Sequence, residues 1–176
     1  MGVTVRAARA EDAGALHEVA AATFALACPP GSAQRQIDAF IETHLSQERF
    51  AHYLADADRR LFLAESDGEP VGYTMLIFGD PADADVAAAV TLRPTAELSK
   101  VYLLSGLHGT GAAAALMRAT LDAARQHGVA SVWLGVNQFN ERANRFYERC
   151  GFVTVGTKQF LVGDEVHDDF VRELVF

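Results

Sequence analysis

The chain has 176 residues, half of them hydrophobic and 22% charged. That is enough for one domain, residues 1–176, with a core of its own. A formal net charge of −8 excludes general nucleic-acid binding, which needs a basic face, and suits a cationic small-molecule partner. The apolar runs fall far short of the roughly 18 residues that cross a bilayer. The N-terminal segment has no apolar signal core, and Arg6 stands where a myristoylation pattern needs Ser or Thr. No membrane partner is expected, and the cytoplasm is the expected location. The two cysteines, Cys28 and Cys150, read as structural thiols.

In chain order, Val3 to Ala8 alternates as a short strand. An alanine-rich helix follows from Ala10 to about Ala27, with Asp12 near its positive end. Cys28-Pro29-Pro30-Gly31-Ser32 breaks it. A second helix runs from Ala33 to about Leu45, with Ile37, Phe40, Ile41 and Leu45 at helical spacing. A short third helix covers Gln47 to about Asp56. Arg60 to Ser66 and Pro70 to Phe78 form a hairpin across Asp67-Gly68-Glu69. The polar, alanine-rich stretch Gly79 to Ala89 reads as a loop. Thr95 to Leu104 is a strand, Gly109 to about His127 a helix stopped by Gly128, and Ser131 to Val136 a strand. Asn140 to Cys150 is a helix stopped by Gly151. A final hairpin joins Phe152 to Leu161 with Val166 to Val175. Mixed helices and hairpins place the chain in the α+β (mixed α/β) class.

Two segments carry chemistry. In the first, strand Thr95 to Leu104 runs into His108-Gly109-Thr110-Gly111-Ala112-Ala113, which opens a helix. Unpaired N–H groups and the helix dipole there favour an anion, and the glycines remove side chains that would hold a phosphate away. No lysine follows in the manner of a P-loop. The same string also fits the dinucleotide fingerprint, but the next strand ends in Asn137 and Gln138 rather than the acid that a ribose needs. In the second segment, Asn140, Ala143, Phe146 and Tyr147 share one helix face. The bland reading of Tyr147 is a core residue with a solvated hydroxyl.

Together the two segments resemble the GCN5-related N-acetyltransferase (GNAT) superfamily. Its acetyl-CoA motif, Gln/Arg-x-x-Gly-x-Gly/Ala, is matched at Gly111 and Ala113, with His108 in place of Gln or Arg. Its later motif, N-x-x-A-x-x-F-Y-E-x-x-G-F, is met throughout Asn140 to Phe152. The resemblance implies a mixed, mostly antiparallel twisted sheet of about seven strands flanked by helices and splayed between the fourth and fifth strands. It implies acetyl-CoA as cosubstrate and no metal. Backbone groups of Val101, Tyr102 and Leu103 would hold the pantetheine arm, residues 108 to 113 the pyrophosphate (His108, Gly109, Thr110, Gly111, Ala112, Ala113), and Asn140 the coenzyme arm. Tyr147 would protonate the departing thiolate. Relatives are commonly dimers, so a homodimer is allowed.

An ammonium cannot attack, so a base is needed. Glu97 is the candidate: it precedes Val101 by four residues, and strict alternation puts the two on one face. His167 and Tyr73 are weaker alternatives. Glu97-Leu98, Val101-Tyr102, Trp133-Leu134-Gly135-Val136 and Phe160 to Asp169 resemble polyamine N-acetyltransferases of the PaiA type. The acids Asp164, Glu165, Asp168 and Asp169 would suit a polycation if the last hairpin borders the acceptor. Phe24, Cys28 and Phe40 are core or acceptor-pocket lining. His167-Asp168-Asp169 is discounted as a metal set because neighbours on a strand face opposite ways. The expected function is acetyl transfer from acetyl-CoA to a primary amine of a small cation, by direct attack. The alternatives are a protein N-terminal or lysine acetyltransferase and a non-catalytic acyl-CoA sensor.

Overall fold

The computed structural model describes residues 2–28, 31–107, 109–162 and 164–176, leaving aside the side chains of Ala25, Ala27, Phe160 and Val162. Among the described residues one seven-stranded sheet forms the frame. Its strands are β1 (Val3–Ala7), β2 (Arg59–Ser66), β3 (Glu69–Phe78), β4 (Thr95–Leu103), β5 (Ser131–Asn137), β6 (Val153–Val162) and β7 (Glu165–Val175). Their spatial order is β1-β2-β3-β4-β5-β7-β6. Every neighbouring pair is antiparallel except β4 with β5. The fold class and the split between the fourth and fifth strands are as the sequence led us to expect.

The helices α1 (Ala13–Ala27), α2 (Gln34–His44), α3 (Gln47–Ala55), α4 (Ala84–Ala89), α5 (Ala112–His127) and α6 (Glu141–Cys150) cover the sheet. On one face, α1 and α3 bury Leu16, Val19, Phe24 and Phe50 against Leu61, Leu63, Tyr73 and Met75. On the other, α5 and α6 bury Met117, Ala124, Tyr147 and Phe152 against Leu76, Leu98, Val132 and Leu134. The Thr74 and Thr120 hydroxyls meet at 2.7 Å, and Thr120 donates to the Leu116 carbonyl at 2.6 Å. That polar link ties β3 to α5 without leaving a buried hydroxyl unpaired.

Two local features differ from the sequence reading. The stretch Gly79 to Ala89 is not all loop: it ends in α4. Asp83 caps this helix by accepting from the N–H groups of Asp85 and Val86, the usual service of an aspartate at a helix start. Val86 and Val90 then pack on Trp133 and Val171. The long first helix opens instead with a short 3-10 turn, Ala10–Asp12. Arg6 grips Asp12 there with two bonds of 2.8 and 2.9 Å and Glu65 with one of 2.8 Å, fixing β1 to the turn.

Gly72 lets β3, β4 and α5 approach closely. A methyl group on it would stand 2.8 Å from the Tyr102 carbonyl oxygen and 2.8 Å from a Leu103 methyl. Gly72→Ala should therefore cost about 1–3 kcal/mol, seen as a lower urea midpoint with an unchanged slope. An unaltered midpoint would show that β3 and β4 are less tightly fixed than this.

Candidate active site

The parallel pairing of β4 and β5 spans three residue pairs, Thr95 with Ser131, Ala96 with Val132 and Glu97 with Trp133. Its closed end is fastened by side chains: Thr95 Oγ1 donates to the Ser131 carbonyl at 3.1 Å and meets Ser131 Oγ at 2.9 Å. Beyond Glu97 the strands part. β5 continues in register with β7 up to Asn137–Asp169, and β4 continues with β3 up to Leu103–Gly72. Each strand thus keeps one neighbour and turns an unpaired edge into the gap.

A bulge sets which side chains face which way. Met75 pairs with Lys100 but Leu76 with Leu98, so Ser99 is the extra residue on β4. One inserted residue inverts the alternation. Ala96 and Leu98 before it, and Val101 and Leu103 after it, all face α5 and α6. Glu97, Lys100 and Tyr102 pair with Ile77, Met75 and Tyr73 and face α1 and α3. The expectation that Glu97 and Val101 share a face is therefore corrected: Glu97 aligns with Lys100 and Tyr102.

This face of the gap is a cleft. Its floor carries Glu97, Lys100 and Tyr102 on β4 and Gly135 on β5. From β7 come His167 and Asp169, and from β6 Lys158. Both lysines of the chain, Lys100 and Lys158, thus belong to it. A methyl group on Gly135 would stand 3.4 Å from Asp169 Oδ2 and 3.6 Å from Lys158 Nζ. Burial pushes the Glu97 carboxyl up against the opposing pull of Lys158, Lys100 and Arg59. Burial lowers Lys100 to about 8 and raises Asp169 to about 6.

α1 and α2 pack over this face, with Phe24 in the core and Phe40 partly buried against it. Phe24 and Phe40 stack with centroids 4.5 Å apart, and Phe40 meets His44 at 4.6 Å. The Cys28 thiol is half-buried and raised to about 11 by burial and by Glu165, so it stays an unreactive thiol at neutral pH. Glu165 Oε1 accepts from the Ala33 N–H at 2.9 Å, docking the start of α2 on the last hairpin. The four acids of that hairpin divide by alternation. Glu165 and Asp169 face the cleft and Asp168 turns away, while Asp164 is exposed at the turn.

Tyr147 on α6, 8% exposed, packs with Leu98, Val132, Leu134 and Val136 on the other face of β4 and β5. Burial raises its hydroxyl far above the ordinary tyrosine value, with Tyr102 and Cys150 adding to the rise. The motif around it is mechanical. Asn140 caps α6, its Oδ1 accepting from Ala143 N–H at 3.2 Å. Gly151, at φ 102°, donates to the Glu148 carbonyl, and Phe152 donates to the Tyr147 carbonyl at 3.0 Å. That is a Schellman ending, which needs a left-handed residue. The Phe152 ring then packs edge-on to Tyr147 at 5.9 Å.

Sequence reasoning missed Arg172 and Asn144. Arg172 is 4% exposed. It donates to Asn144 Oδ1 at 3.0 Å, to the Phe152 carbonyl at 3.3 Å and to Glu148 Oε1 at 3.0 Å. The available signal was its place between Phe170 and Leu174 on an alternating strand, which points it inward.

At the far end of the gap, Gly109 and Gly111 have φ of 82° and 87°, and added methyl groups would meet nothing. Glycine is required there by backbone conformation rather than by neighbouring atoms. Gly111 is the N-cap of α5, whose first amides have no carbonyl partner within the helix. Thr110 and Ala112 complete the turn, the Ala112 N–H reaching Thr110 Oγ1 at 3.4 Å. Val101, Leu103 and Ala113 lie near this end, packed with Leu116 or against α5. His108 lies outside the described residues. Among the described residues no group of His, Cys, Asp and Glu is gathered as for a metal ion, and no helix is long and apolar enough to cross a membrane.

The profile of the Acetyltransferase (GNAT) family matches residues 21–152. The chain belongs to the GNAT acetyltransferase family. A Mycobacterium tuberculosis protein named as an uncharacterised N-acetyltransferase is 51% identical over 166 residues, covering 93% of this chain and 99% of that one. A streptothricin acetyltransferase of Streptomyces lavendulae is 32% identical over 102 residues, covering 57% and 48%. Among solved structures, the PaiA N-acetyltransferase of Thermoplasma acidophilum in complex with coenzyme A superposes over the full length of both chains. The TM-score is 0.78 at 20% identity, which bears on the fold alone. The protein is an N-acetyltransferase by family.

Arg172→Met would strand the buried Asn144 amide oxygen and the Phe152 carbonyl. It should cost about 2–4 kcal/mol, read as a lower thermal midpoint. If α6 depends on this side chain, hydrogen exchange in residues 141–150 should quicken more than in α5. Equal quickening in both helices would remove the tethering role.

Proposed function

We propose that this GNAT-family chain transfers the acetyl group of acetyl-CoA to a primary amine of a small cationic acceptor, a polyamine being the first choice, by direct attack. The observation that carries the reading is the gap between β4 and β5 with Tyr147 beside it. A pantetheine arm laid in the gap supplies the hydrogen-bonding partner that each strand edge lacks, and backbone groups of Val101, Tyr102 and Leu103 would take that arm. An N–H near Leu103 would polarise the acetyl carbonyl in the manner of an oxyanion hole. The amides of Gly109 to Ala113 would hold the pyrophosphate at the start of α5. Asn140 uses its side-chain oxygen to cap α6, so its reach to the coenzyme would be through its amide nitrogen.

Tyr147 would be the acid. Its hydroxyl is held protonated by burial, so a proton is available at neutral pH for a thiolate leaving group. Glu97 is the last residue of β4 still paired with β5, at the closed end of the gap. With three cations around it, it would set the charge of the cleft floor.

Release of free thiol from acetyl-CoA tests the reading directly, with spermidine, spermine, simple diamines, an aminoglycoside, streptothricin and lysine peptides as acceptors. Release with one amine class supports it and names the acceptor. Release with peptides alone favours a protein acetyltransferase. Tight acetyl-CoA binding without release favours a sensor. Tyr147→Phe should lower kcat by about 100-fold or more while acetyl-CoA affinity stays within about twofold; equal kcat values would sink the acid role. Gly111→Val forces a branched residue into a left-handed conformation, at about 1–3 kcal/mol, and blocks the amides. Acetyl-CoA should bind at least about tenfold more weakly by calorimetry, and unchanged affinity would remove the pyrophosphate assignment.

A further inference from the structure

Four buried side-chain polar atoms have no hydrogen-bond partner among the described residues: the Tyr73 hydroxyl, Trp133 Nε1, His167 Nε2 and Asp169 Oδ1. All four belong to the sheet face that carries the cleft. Burying such groups without a partner is costly; His167 Nε2 has the Glu165 carboxylate 3.6 Å away, which leaves Asp169 Oδ1 as the bare carboxylate oxygen on this face. Two of them, His167 and Asp169, stand two residues apart on β7, so the strand turns both the same way.

Asp169 is the more closely placed. It is 5% exposed. Its Oδ2 lies over Gly135 near Lys158 Nζ, and its Oδ1 is the bare oxygen. It is level with Asn137, beyond the point where β4 and β5 part. Tyr102 is close enough to feel the charge of Asp169, and Tyr147 in turn feels Tyr102. Tyr102 thus lies within electrostatic reach of both Asp169 and Tyr147. Glu97, by contrast, lies at the closed end.

We propose that Asp169, rather than Glu97, receives the ammonium of the acceptor on its free Oδ1 and takes its proton. The proposal rests on the acetyltransferase reading and names the base of that site. The ammonium passes one proton to Asp169. The freed lone pair forms the bond to the thioester carbonyl carbon, the carbon–sulfur bond breaks, and the sulfur leaves with the Tyr147 proton. The second nitrogen proton restores Tyr147, and Asp169 gives its proton to solvent. Ammonium and acetyl-CoA thus become amide, CoA thiol and one proton.

Burial raises the Asp169 carboxyl to about 6, against Lys158 on β6 and His167 on β7 and with Asp168 on β7 adding to the rise; Tyr102 faces it from β4. Such a group is ionised, and able to take a proton, above about pH 6, so kcat/KM for the amine should fall as the pH drops through that value.

The test uses spermidine and hydrazine, a weakly basic acceptor, with wild type, Asp169→Asn and Glu97→Gln. Asp169→Asn should lose at least about 100-fold in kcat/KM for spermidine, far more than Glu97→Gln. The loss should shrink with hydrazine at about pH 8.5, where that acceptor needs little deprotonation. Acetyl-CoA affinity by calorimetry should stay within about twofold, which shows that the variant folds. A loss below about twofold, or the same loss with both acceptors, overturns the proposal. Carbon-13 titration of the Asp169 carboxyl separates this from failure of the enzyme reading. Spermidine should lower its midpoint even if no thiol is ever released, and no shift overturns the ammonium site.

Discussion

The constraint on which the rest of this structure depends is the three-pair limit of β4–β5 hydrogen bonding. Parallel strands normally pair along their length, and an open edge within a sheet is a liability. Here β4 stays with β3 and β5 stays with β7, so neither strand loses its outer neighbour when the two separate. The Thr95–Ser131 side-chain contacts hold the closed end, which makes the gap a wedge of fixed origin rather than a slack region. Backbone groups facing such a wedge must be satisfied by water or ligand. A thin chain carrying its own amides is the ligand that fits, and this ties the fold to the coenzyme proposed for it.

The bulge at Ser99 converts that wedge into a two-sided site. Without it, Glu97 and Tyr102 would point to opposite faces, and the polar residues of β4 could not line one cleft. With it, aliphatic side chains of β4 remain on the α5 side both before and after the bulge. One cost follows: Lys100 is carried into a largely apolar surround, where its charge is disfavoured. Glu97 beside it offsets part of that desolvation. The same arrangement shows why α6 is so firmly held. On the proposed reading the Tyr147 hydroxyl would meet a group inside the gap and would have to be placed to a fraction of an ångström. An asparagine cap at one end, a glycine–phenylalanine ending at the other and a buried arginine beneath fix its helix at three points.

The helix from Asn140 to Cys150 and its stop at Gly151 were legible because packing face and left-handed stop act locally, whereas Asn140 was read as part of the helix face and proved to be its cap. The sheet was legible for the same reason, since hairpins and helix stops are written in neighbouring residues. The bulge was not, because Ser99 is unremarkable as a residue type and the inversion shows only against its partner strand. Nor was the role of Arg172, whose partners lie 20 and 28 positions away, or the helix α4, whose six residues depend on packing against Trp133. Asp169 was visible as one of four hairpin acids. Its separation from Asp168 required knowing which face of β7 looks into the cleft.

That separation bears on the acceptor. The floor of the cleft holds Glu97 and Asp169 but also both lysines, with Arg59 within reach of Glu97, so it draws no polycation by its own field. A second positive charge on the same acceptor would find its partner further along β7, at Glu165, which faces the same way as Asp169. Their Cα atoms are about 13 Å apart along the strand, and Glu165 leans back toward His167, its Oε2 standing 3.6 Å from His167 Nε2. A monoamine on Asp169 would leave Glu165 unused, whereas a polyamine would meet both. Glu165 already receives the Ala33 N–H, so an ammonium arriving there would bind beside the start of α2 and help to hold α2 over the cleft. On the proposed reading, a preference for a polyamine over a simple amine would come from this second carboxylate on the same strand. The overall negative charge of the chain would serve to raise the encounter rate.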